Sequence, residues 1–82
     1  MLQSIRLKDG TEFKFSDVLP SEQILVYVGR PMVGVEDGID SALCYLPQYK
    51  WDEIEGFTDD EIDFFQEILE INARLIMPDD WF

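Results

Sequence analysis

The sequence contains no histidine and only one cysteine, Cys44. Without histidine it lacks the side chain that most often serves as a general base near neutral pH and as a ligand for transition metals. Histidine-dependent triads and zinc hydrolases are therefore excluded. A single cysteine permits no intramolecular disulfide, no redox pair and no thiolate cluster, which suits a reducing compartment and points to the cytoplasm. Base is scarce too: six Lys and Arg stand against eighteen Asp and Glu, a net charge of −12 at pH 7. Such a chain repels nucleic acid and anionic lipid, so direct nucleic-acid binding is disfavoured and basic proteins are the natural partners. No apolar run approaches the roughly 18 residues of a membrane span. Met1-Leu2-Gln3-Ser4-Ile5-Arg6 lacks the basic and apolar regions of a secretion signal.

What is present is enough for a core. Of the 82 residues, 46% are hydrophobic and 13% aromatic, well above the composition of disordered chains. The length allows one domain, 1–82.

Leu2, Ile5, Leu7, Phe13 and Phe15 alternate with Arg6, Lys8, Glu12 and Lys14 around Asp9-Gly10. Asp-Gly between two alternating runs predicts a β-hairpin over 2–15, because both residues tolerate the positive φ of tight turns. Ser16 to Glu22, with Pro20, reads as a connector. Ile24-Leu25-Val26-Tyr27-Val28 is continuously apolar, the pattern of a central strand covered on both faces. Gly29 to Val35 is interrupted by glycine and proline, Glu36-Asp37-Gly38 forms a turn, and Ser41 to Leu46 is a further strand stopped by Pro47. Tyr49 to Ile54 is a last strand or an irregular crossing.

Thr58-Asp59-Asp60-Glu61 opens a helix predicted over 58–77. Thr58 and Glu61 stand at capping-box spacing, and the early acids suit the positive end of the helix dipole. At 100° per residue, Phe64, Phe65, Ile68, Leu69, Ile71, Leu75 and Ile76 share one broad arc, with Asn72 near its middle in need of a hydrogen-bond partner. The opposite arc is acidic. Pro78 ends the helix, leaving Asp79-Asp80-Trp81-Phe82 as a tail. The expected fold is α+β: a mostly antiparallel sheet of four or five strands, opening with the N-terminal hairpin, with the amphipathic C-terminal helix packed on one face.

The charge is local. Residues 1–50 hold seven acids and five bases, a net of −2, whereas residues 51–82 hold eleven acids and one base, Arg74, a net of −10. Asp59 to Glu70 carries six acids over roughly 16 Å of helix. Their spacing of about 3 Å approaches the roughly 3.4 Å between charges along one DNA strand. An acidic solvent face also serves solubility alone. The aromatic company is the second signal: Tyr49 and Trp51 precede Asp52, Glu53 and Glu55, and Trp81 follows Asp79 and Asp80. Aromatic anchors among steering charges are a pattern of protein interfaces, although a tryptophan in so small a domain also reads as core.

Other chemistry finds little support. Glu36, Asp37 and Asp40 lack the twelve-residue spacing of a calcium loop, and no motif implies a metal or cofactor. The helix carboxylates face solvent without the pocket that separates two pKa values, so no enzyme is expected. Cys44 reads as a small buried hydrophobe. No motif names a family.

These features predict a small acidic protein inhibitor that occludes the basic surface of a nuclease or related effector. Two settings suit it: an immunity protein or antitoxin, and a phage-encoded DNA mimic directed at a host defence nuclease such as a CRISPR or restriction enzyme. The candidate partner-binding residues are Tyr49, Trp51, Asp52, Glu53, Glu55, Asp59, Asp60, Asp63, Glu67, Glu70, Asp79, Asp80 and Trp81. The alternative is an adaptor or oligomer subunit whose acids only keep it soluble.

Overall fold

The structure is a computed structural model and describes residues 4–31 and 39–82. The turn expected at Glu36-Asp37-Gly38 and the interrupted segment from Met32 to Val35 lie outside the described residues. Five strands, β1 (Ser4–Arg6), β2 (Glu12–Phe15), β3 (Ile24–Pro31), β4 (Ile39–Leu46) and β5 (Lys50–Glu55), precede α1 (Asp59–Ile71), α2 (Ala73–Ile76) and a 3-10 turn at Asp79–Trp81. The architecture is α+β, with one antiparallel sheet in sequential order β1-β2-β3-β4-β5 and one main helix.

Between β1 and β2 the chain reverses at Gly10, whose φ of 94° a side chain would strain. The Asp9 carboxylate accepts the Thr11 N–H at 2.9 Å. β3 and β4 form the longest ladder, from Ile24 opposite Leu46 to Pro31 opposite Ile39. β5 carries one extra residue relative to β4 between the Leu43–Asp52 and Ser41–Glu55 pairs, and Glu53 there adopts a positive φ of 48°. This is a bulge, which bends an edge strand and increases its twist.

Period-two alternation sorts the sheet into two faces. Phe13, Ile24, Val26, Val28, Ala42, Cys44 and Leu46 are buried together with Phe57, Ile62, Phe65, Leu69, Ala73 and Ile76. The Phe65 ring meets Phe13 edge-on at 5.4 Å between centroids and Phe57 at 4.9 Å. The two-sided cover expected for β3 is not found: Tyr27 is exposed and Leu25 only half-buried. An antiparallel sheet needs only one dry face, and five apolar residues in a row do not reveal whether one face or both are covered.

The capping box at Thr58 is present. Thr58 Oγ1 accepts the Glu61 N–H at 3.2 Å, and Glu61 Oε1 accepts the Thr58 N–H at 3.1 Å. The helix predicted over 58–77 is divided at Asn72, which caps α1 and donates its side-chain N–H to the Ile68 carbonyl at 2.9 Å. Asn72 is thus satisfied by its own helix rather than by a strand end or loop. The apolar arc is also wider than the core it meets. Phe64, Ile71 and Leu75, all placed on the packing face by periodicity, are 53%, 76% and 58% exposed.

Candidate functional site

Alternation carries Arg30 onto the core face of β3 after Ile24, Val26 and Val28, and brings Asp40 to the same face of β4 directly opposite. The Arg30 guanidinium donates to Asp40 Oδ2 from Nη2 at 2.8 Å and from Nε at 3.3 Å, and donates from Nη1 to Glu61 Oε2. It lies 4.9 Å from the Phe57 ring centroid, and Asp9 stands 3.8 Å away. Hydrogen bonding to Arg30 lowers the Glu61 pKa, bonding to Thr11 lowers that of Asp9, and bonding to Glu61 and then Asp40 raises that of Arg30. Gly56 makes room for this cluster: a Cβ there would collide with the Asp40 carboxylate. Arg30 is shared among three carboxylates, and the cluster thereby joins β3, β4, the β1–β2 turn and the start of α1.

The remaining carboxylates of α1 are presented outward. Asp59, Asp60, Asp63, Glu67 and Glu70 are exposed, and among the described residues none of them pairs with a base. They occupy one arc of about 100° on the helix. Beside that arc runs the ridge of Phe64, Ile71 and Leu75, with half-buried Ile68 between them. The steps of 4, 3 and 4 residues are those of an apolar seam between helices, a signal present in the sequence but there assigned to the core. Exposed large apolar side chains in a contiguous row mark an interaction surface more often than scattered ones do.

The aromatic candidates sit differently. Trp51 is half-buried against the core and its indole N–H donates to Gln66 Oε1 at 3.1 Å; Gln66 in turn donates to Glu70 Oε1 at 3.1 Å. Tyr49 is also half-buried, and burial, with the Glu70 charge as a second cause, raises its pKa. The structure therefore brings Tyr49 and Trp51 beside the middle of α1. Trp81 is half-buried on the core, whereas Asp79 and Asp80 are exposed. Asp52, Glu53 and Glu55 are exposed along β5 at the sheet edge. Among the described residues no three metal-ligating side chains cluster, and no helix is long and apolar enough to cross a membrane.

No family model matches the sequence, and no curated protein or solved structure is significantly similar to it.

Proposed function

We propose that this chain is a stoichiometric, non-enzymatic inhibitor that binds and covers a basic surface of a nuclease or other nucleic-acid-binding effector. The carrying observation is the side-by-side placement of the outward carboxylates of α1 and the ridge of Phe64 and Ile71 on α1 and Leu75 on α2. The acids accelerate encounter with a basic partner, and the apolar ridge supplies area that is dehydrated on contact. The scaffold is an amphipathic helix packed across one face of a sheet that opens with the hairpin of β1 and β2. In this arrangement Phe64, Ile71 and Leu75 take the anchoring role that composition suggested for Tyr49, Trp51 and Trp81. An immunity protein or antitoxin, or a phage DNA mimic acting on a defence nuclease, would use such a face in the cytoplasm.

The same ridge supports a second reading, an adaptor held by apolar contact alone. Salt separates the two. Capture of partners from the native host and from cells it might infect, eluted by a salt gradient and identified by mass spectrometry, should release a basic nuclease or nucleic-acid-binding protein. Replacing Asp63, Glu67 and Glu70 together by Lys should abolish that capture while circular dichroism shows the fold intact. Recovery of only salt-resistant, neutral partners would replace the inhibitor reading with the adaptor one.

A further inference from the structure

The open face of the sheet carries three of the six basic residues, Arg6, Lys14 and Lys50. Register places its side chains in rows across the strands: Arg6, Glu12, Gly29, Ser41 and Glu55 form one row, and Ser4, Lys14, Tyr27, Leu43 and Asp52 the next. The first row runs from Arg6 to Glu55 and the second from Ser4 and Lys14 to Asp52, while Lys50, opposite Tyr45, ends the row beyond them. Arg6 and Lys14 flank Glu12 at 2.6 and 3.4 Å, leaving net positive charge on β1 and β2, while Asp52, Glu53 and Glu55 outweigh Lys50 and make β5 negative. The centre is apolar: the Tyr27 ring folds over Gly29, where a Cβ would meet it at 2.8 Å. Tyr27 separates two shallow depressions, one lined by Leu43 and Ile54, the other by Pro31 and Ile39.

We propose that this face is a homodimer interface, with a second copy packed face to face about a two-fold axis running along β3. That axis lays β5 of one copy over β1 of the other and β4 over β2, so Arg6 meets Glu55 of the second copy and Lys14 lies near its Asp52. The other in-plane axis, across the strands, would set β1 on β1 and β5 on β5 and oppose like charges. The offset of about 30° between packed sheets shifts residues at the edges by about two positions, within reach of these long side chains. Five strands about 4.8 Å apart, of three, four, eight, eight and six residues, give roughly 470 Å² per copy, or about 950 Å² in total. That is the size of a weak, transient interface, so the dimer is reversible. The acids of α1 face away from the sheet, farther from the second copy than the Debye length of about 8 Å at physiological salt. The helix face stays free, so this dimer does not depend on the inhibitor reading.

Analytical ultracentrifugation of the whole chain in about 0.15 M salt, from low micromolar to about 0.5 mM, tests this. The wild type should pass from monomer to dimer. Arg6→Glu and Glu55→Arg should each weaken dimerisation at least about tenfold, since each sets like charges against each other twice. An equimolar mixture of the two variants should recover the dimer, because every facing pair is then of opposite sign. A wild type monomeric throughout, variants that dimerise normally, or a mixture that stays monomeric would each overturn the proposal.

Discussion

Arg30 of β3 holds the carboxylate of Glu61 in α1, so the glutamate that closes the capping box at Thr58 also ties the start of the helix to the sheet. One side chain thus serves local and tertiary structure together.

Removing the guanidinium should be costly because it strands the buried Asp40. Arg30→Met is expected to destabilise the fold by roughly 3 kcal/mol in urea denaturation. Arg30→Met combined with Asp40→Leu should recover most of that loss, since replacing both members of a buried pair by apolar side chains is often neutral.

Acid should weaken the same junction. Hydrogen bonding lowers the Glu61 pKa in the folded state below its ordinary 4.5, so the unfolded chain takes up the proton first as pH falls. The contribution is complete above the unfolded value and is lost as pH drops through the folded one. Chemical denaturation between pH 7 and pH 3 should show a loss of stability beginning near 4.5 that is smaller in Glu61→Gln.

Gly56→Ala should unsettle both backbone and cluster. Gly56 has φ 86°, and the added methyl would displace the Asp40 carboxylate from Arg30. A loss of about 2 kcal/mol or more is expected, measured by thermal or urea unfolding, whereas Gly10→Ala, with open space around it, should cost only the backbone strain.

Cys44 should be inert in the folded protein. It is fully buried, and burial pushes its thiol up to about 12. A thiol-reactive chromophore should label it only under denaturing conditions; rapid labelling of native protein would show that β4 opens readily.

The antiparallel α+β architecture was legible because alternation and the Thr58–Glu61 spacing are local signals. Outward placement of Asp59, Asp63 and Glu67 followed from helical period alone. The Arg30–Asp40 pair was not legible, since the partners are ten residues apart and meet only through the β3–β4 register. Nor was the exposure of Phe64, Ile71 and Leu75, which depends on how α1 is rotated against a core narrower than its apolar arc. Trp51 read both as an anchor among acids and as core, and strand alternation turns it to the core side, where its indole meets Gln66.

The bulge at Glu53 gives the sheet a protected margin. A straight outer strand offers unpaired N–H and C=O groups on which further chains can add, the route to fibres. At β5 the extra residue breaks that template, and the flanking carboxylates repel an identical strand; at the other margin β1 spans three of the described residues. The β5 margin is thereby closed to edge-to-edge addition, which leaves association to the faces of the molecule.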